Sequence, residues 1–131
     1  MAKDPRVHAD HILEAIANIE ADLDGHDFES FRADRRARQL IERNLGIISE
    51  ASRRLPNELK GTERDIEWQA IAGMGDVLRH DYHDSQPKIL WETCRKDLKP
   101  LRVAVRRIRR ELEHAKKPRK DRRVPLRPVA Q

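Results

Sequence analysis

Leu98, Leu101, Val105, Ile108 and Leu112 recur at steps of three and four residues, and that spacing leaves a chain few options. Side chains three or four apart share one face of an α-helix, whereas a strand would send them alternately to opposite faces. The other faces of this segment carry Arg102, Arg106, Arg107, Arg109 and Arg110, so one side is built for burial and the rest for water. The same period appears upstream. Asp4-Pro5 is a helix start, because Asp can cap free amides and Pro suits the first helical position. Ile12, Ala15, Ile16, Ile19 and Leu23 follow as one stripe, which Gly25 ends. From Phe28 to Leu55 a second helical stretch, irregular at its start around Ser30 to Asp34, carries Ala37, Leu40, Ile41, Leu45, Ile48 and Ala51/Leu55 before Pro56 stops it.

Thr62-Glu63-Arg64-Asp65 is a weak capping box for a third helix, with Asp in place of Glu or Gln. Ile66, Ile71, Met74, Leu78 and Tyr82 would form its inward face, with Trp68 near its start. A polar break at Asp84-Ser85-Gln86-Pro87 then precedes a short helix holding Ile89, Leu90 and Trp91. Four long helices with short connections predict an all-α, up-and-down bundle of four to five helices. The 131 residues suffice for one core and not for two, and 39% charged residues with 5 Gly fit a helical rather than a β-rich chain.

The formal charge of +5 is unevenly spread. Residues 116–131 hold seven bases and one acid, Asp121, which leaves 21 bases and 22 acids for the rest. The near-neutral body does not suit a general nucleic-acid scavenger. The expected organisation is a bundle over 1–114 and a flexible basic tail over 115–131, interrupted by Pro118, Pro125 and Pro128. That tail suits loose attraction to RNA phosphates or docking on an acidic protein. No apolar run reaches the length of a membrane span and the N-terminus has no signal-like core. With a single Cys94, a cytoplasmic setting is the expectation.

Ile71 to His83 packs Asp76, Arg79, His80, Asp81, Tyr82 and His83 into barely two turns. A helix that merely buries one face has no need of so many titratable groups. Spacing places Asp76, Arg79/His80 and His83 on one polar stripe. An imidazole can move protons near neutral pH, and a guanidinium can stabilise charge growing on phosphoryl oxygens. RNA carries its own nucleophile in the ribose 2′-OH, so such cleavage requires no metal. Taken alone, a solvated or hydrogen-bonded His80 accounts for the stripe more simply. His8/His11 and the His80–His83 segment are imaginable metal pairs, but no Cys or Glu-x-x-His partner supports a site, and no metal or cofactor is expected. Trp68 and Trp91 read as core anchors rather than base-stacking platforms. Arg102 and Arg106 are candidates for one wall of an RNA groove, while Arg107 and Arg110 read as solvation balanced by Glu111 and Glu113.

Several separated blocks resemble a known family in the expected order. They are Arg43 through Pro56, Trp68-Gln69-Ala70-Ile71-Ala72-Gly73-Met74, Val77-Leu78-Arg79-His80-Asp81-Tyr82, Ile89-Leu90-Trp91-Glu92 and Asp97-Leu98-Lys99-Pro100-Leu101. Over roughly residues 5–113 the chain resembles a HEPN domain of the HepT-like group, the toxin half of toxin–antitoxin pairs. The resemblance implies a helical bundle, homodimeric, acting as a metal-independent endoribonuclease beside a minimal nucleotidyltransferase antitoxin. The family signature is an Arg, four to six residues, a His, and a Tyr two residues later. His80 matches the catalytic His, and Tyr82 matches the Tyr that partner enzymes modify with AMP. The signature Arg falls at position 75, which here is Gly75. Arg79 restores the spacing with neither His80 nor His83.

Two expectations follow. In the first, the chain is a ribonuclease toxin in which His80 serves as general base or acid, Asp76 orients it, Arg79 binds phosphate and Tyr82 is the regulatory hydroxyl. Arg79, Arg102 and Arg106 would contact RNA. In the second, the chain is an inactive relative that binds RNA or the nucleotidyltransferase through the same cleft. Gly75 separates the two: it marks a natural inactive relative, a transfer of the role to Arg79, or an inactivating change. The chain as written is expected to be impaired.

Overall fold

The computed structural model describes residues 4–80 and 86–122, with backbone alone at 77–80, 86 and 116–122. Seven helices make up these residues, with no strand among them. The four long ones are α1 (Pro5–Leu23), α3 (Arg35–Arg53), α5 (Trp68–His80) and α7 (Leu98–Arg122). Between them lie α2 (Phe28–Ala33), α4 (Asn57–Gly61) and α6 (Gln86–Lys96). The fold is all-α, as the periodicity predicts.

Local chemistry sets most of the ends. The Asp4 carboxylate accepts from the Arg6 amide at 3.0 Å with Pro5 in the first turn, and Gly25, at φ +83°, takes the left-handed position that lets the chain leave α1. The irregular start of the second stretch resolves into a separate helix. Asp27 and Ser30 cap it reciprocally at 2.9 and 3.1 Å, and Asp34 then closes α2 and caps α3 through the Ala37 amide at 3.0 Å. A single residue, Asp97, separates α6 from α7.

α1 packs on α3 and α7, α3 also packs on α5, and α6 closes over α2 and the start of α7. Ile12, Ile16, Ile19, Ile41, Leu45, Ile48, Leu101, Val105 and Ile108 are buried together, so three of the expected stripes meet in one core. Phe31 from α2 is fully buried, with its ring centroid 5.3 Å from that of Trp91. Trp91 and Trp68 both pack against the core, as anchors should. Burial pushes the Cys94 thiol up to about 12, helped by the negative charge of Asp97, so it stays protonated as a core residue.

The structure departs from the sequence reading in three places: Leu40, Thr62 and the end of α7. Leu40 is 47% exposed; the α3 stripe passes beside it, through Ala37 and Ile41, while Asn44, Ser49 and Ser52 are buried instead. The short helix expected around Ile89, Leu90 and Trp91 is present as α6, and Leu90 is the one of the three that is fully buried. Thr62 does not cap the third long helix. It ends α4, its hydroxyl donating to the Leu59 carbonyl at 2.7 Å. The Trp68 indole donates to the carbonyls of Lys60 and Glu63 at 3.0 and 3.2 Å, which folds the intervening residues as a turn and delays α5 to Trp68. Finally, α7 passes through Pro118 to Arg122, beyond the boundary expected at residue 114. Proline removes one amide donor, but its fixed φ is helical. Residues 123–131 of the expected tail lie outside the described residues.

Ion pairs lace α7 to α1. Arg109 binds Asp10 and Glu113 at 2.8 Å, Glu113 also takes Arg6 at 2.9 Å, and Arg102 grips Glu20 at 2.6 and 2.7 Å. Surface pairs of this kind are worth about 0–1 kcal/mol each, so they tune register more than they hold the fold.

Two predictions follow. Phe31→Ala should cost about 3–5 kcal/mol by opening a cavity, while Leu40→Ala should stay within about 0.5 kcal/mol as an exposed change; urea unfolding midpoints separate the two. Glu113 should titrate at about 2, held down by Arg109 and then Arg6. A depressed carboxylate stabilises the fold fully above its ordinary 4.5 and loses that contribution as pH falls toward 2. NMR titration of the Glu113 side chain, and a flatter acid limb in Glu113→Gln, would check this.

Candidate functional site

The residues singled out for chemistry lie along α5, and what positions α5 is its seam with α3. Ser49 projects from the core face of α3 and is 3% exposed. Its hydroxyl donates to the Ala72 carbonyl at 2.7 Å and accepts from the Gly75 amide at 3.2 Å. One hydroxyl thus reaches two consecutive turns of α5. Gly75 is buried here, and its amide lies within hydrogen-bond range of a serine on the neighbouring helix. At Gly73 a Cβ would meet nothing within 4 Å, so no packing demand explains that glycine. Ser52 braces the same stretch, its hydroxyl donating to the Ser49 carbonyl at 2.8 Å. Arg53 adds a second link, donating from Nη2 to the Ala72 carbonyl at 2.7 Å.

Asp76 follows Gly75 and is exposed. Arg79 and His80 are the last two residues of α5, so their backbone continues the helix beyond Asp76. The side chains of Arg79 and His80, together with Asp81, Tyr82 and His83, lie outside the described residues. The expected RNA-contacting pair on α7 divides. Arg102 is engaged by both carboxylate oxygens of Glu20 at 2.6 and 2.7 Å, whereas Arg106 is exposed with no ion pair or hydrogen bond among the described residues. Arg107 is not balanced by its own helix as expected but by Glu63, at 2.8 Å, which precedes α5.

Other candidate chemistry has structural roles. The rings of His8 and His11 meet edge to face, 6.3 Å apart, and no group of three or more His, Cys, Asp or Glu gathers as a metal site among the described residues. A cavity of about 360 Å³ lies between α5, α6 and α7. Ile66, Ile71, Met74 and Leu101 line it with Asp65 and Asp97, and no basic residue does. It suits apolar contact and would repel a polynucleotide phosphate.

Sequence reasoning missed Ser49 and Arg53. The available signal was three polar residues, Asn44, Ser49 and Ser52, spaced so as to interrupt an otherwise aliphatic helix face. A buried hydroxyl needs a partner, and its partner here is the backbone of another helix.

Comparison with known proteins gives a consistent result. Residues 12–108 match the model of the family described as Ribonuclease HepT-like. A protein of Caldanaerobacter subterraneus subsp. tengcongensis, provisionally named an RNase, is 35% identical over 81% of this chain and 95% of its own length. One of Thermococcus cleftensis, named "Probable ribonuclease HepT", is 34% identical over 80% of this chain and 98% of its own. No solved structure matches the chain.

Ser49→Ala removes the group that satisfies the Ala72 carbonyl and engages the Gly75 amide. It should cost about 1–3 kcal/mol, and amide hydrogen exchange should quicken across Ala72–Asp76 while α1 keeps its protection. Uniform acceleration over the whole bundle would contradict a local seam.

Proposed function

The chain belongs to the ribonuclease HepT-like family, and from that premise we propose that it descends from a metal-independent endoribonuclease that acts as the toxin of a toxin–antitoxin pair. The observation that carries the proposal is the family match over residues 12–108; it is supported by a helix, α5, that ends at Arg79-His80 and is bonded to α3 through Ser49 and Arg53. No helix among the described residues is long and apolar enough to cross a membrane.

In the proposed reaction the imidazole of His80 takes the proton from a ribose 2′-OH. The 2′ oxygen forms a bond to the adjacent phosphorus as the bond from phosphorus to the 5′ oxygen breaks. A protonated imidazole returns a proton to that leaving oxygen. Such proton transfer contributes about 10²–10⁴-fold. Asp76, four residues before His80, orients the ring, and Arg79 meets the phosphate charge that builds in the transition state. The protein acts as a homodimer in which two copies of α5 flank the RNA. Its partner is a minimal nucleotidyltransferase that silences it, with Tyr82 as the hydroxyl it modifies with AMP.

Gly75 leaves this chain without the guanidinium that the family signature places there. A charge-assisted bond to a phosphoryl oxygen of this kind is worth several kcal/mol, about 2.7–4 for one comparable oxyanion donor. The chain is accordingly impaired as written. A second reading, in which it is an inactive module that binds RNA or the nucleotidyltransferase, draws on the burial of Gly75 in the α3–α5 seam.

The test compares this chain with Gly75→Arg and with Gly75→Arg/His80→Ala, each confirmed as helical by circular dichroism. RNA cleavage and growth arrest should appear in the first variant and vanish in the second. A folded Gly75→Arg protein that leaves RNA intact and cells growing would overturn the ribonuclease reading and favour the binding module.

A further inference from the structure

We infer that Arg53, on α3, holds a phosphate of the RNA strand whose cleavage is assigned above to His80; the inference rests on that ribonuclease reading. It starts from how the arginines of this bundle are engaged. Arg6, Arg54, Arg102, Arg107 and Arg109 each have a carboxylate oxygen within 2.6–2.8 Å. Arg53 is held differently. Its hydrogen bond goes to a neutral acceptor, the Ala72 carbonyl, at 2.7 Å. The carboxylate facing it, Glu50, stands off at 3.8 Å and bonds Arg54 at 2.7 Å instead. Arg53 is therefore fixed in direction without a carboxylate at hydrogen-bond range. A guanidinium has five N–H donors, of which the carbonyl uses one, and this side chain is 43% exposed.

Its position matters as much as its charge. A helix carbonyl points toward the helix C-terminus, so a donor on the Ala72 carbonyl lies beside the next turn, that of Gly75 and Asp76. His80 comes eight residues after Ala72, about 12 Å along the axis at 1.5 Å per residue. One stacked strand covers that distance in about three or four nucleotides at 3.4 Å each. Arg53 and the end of α5 can therefore contact the same strand. Rigid anchoring favours the role, because a guanidinium already ordered by one bond loses less freedom when it binds phosphate.

The test is the salt dependence of RNA binding by the full chain, read by fluorescence anisotropy on a labelled single-stranded oligonucleotide. Arg53→Gln keeps an N–H donor for the Ala72 carbonyl and removes the charge. Its slope of log affinity against log salt should flatten by about 0.7, the value of one single-strand phosphate contact. Affinity at low salt should fall several-fold, with the melting temperature nearly unchanged. Arg53→Lys keeps the charge and should keep the slope. An unchanged slope in Arg53→Gln overturns the inference, and a lower melting temperature beside it would identify Arg53 as a brace between α3 and α5. Cleavage by Gly75→Arg that survives addition of Arg53→Gln unaltered, slope included, sinks the role of Arg53 and leaves the ribonuclease reading standing. Failure of folded Gly75→Arg to bind RNA at low salt sinks both.

Discussion

The burial of α1 between α3 and α7 is the constraint on which the rest depends. Ile12, Ile16 and Ile19 have no exposed surface, and they lie in one cluster with Ile41, Leu45 and Ile48 from α3 and Leu101, Val105 and Ile108 from α7. Each such side chain contributes about 1.5–3 kcal/mol on burial, against about 0–1 kcal/mol for a surface ion pair. The aliphatic seam therefore decides which helices are neighbours, and the ion pairs adjust how they slide. α5 is attached differently. Among the described residues Ile71 is its buried apolar side chain, with Trp68 and Met74 packed against the core, and Ser49 and Arg53 of α3 bond its backbone.

Charge has a similar division of labour. Twenty-eight basic residues suggest a broad positive surface, but much of that charge is balanced locally. Glu20, Glu63, Asp10 and Glu113 take Arg102, Arg107 and Arg109, so α7 is tied to its neighbours by arginines of its polar faces, one of them the RNA candidate Arg102. Positive groups left for a polyanion are fewer than composition implies. This makes the particular placement of Arg53 and Arg106 more informative than the net charge.

The helix stripes, the Asp4-Pro5 start, the Gly25 stop and the all-α class were legible because each depends on residues within a few positions of one another. The failures share a cause. Leu40 belongs to the apolar period by composition, yet α3 buries Ala37, Ile41, Leu45 and Ile48 and leaves Leu40 in solvent. Thr62 has the residues of a cap, yet the Trp68 indole bonds two carbonyls upstream and moves the helix start. Of the candidate site, the Asp76–His80 register was legible as helix, whereas the role of Gly75 as the contact point for Ser49 was not.

What the sequence determined by itself was where helices form and which faces they bury, since hydrophobic period and capping act over one or two turns. Tertiary structure alone decided the pairings: Ser49 with α5 across 23 residues, Arg102 with Glu20 across 82, Arg6 with Glu113 across 107. Those partners are chosen by the distance between helix axes and by rotation about them. Both are set by how side chains interlock in the core, and no local pattern encodes that.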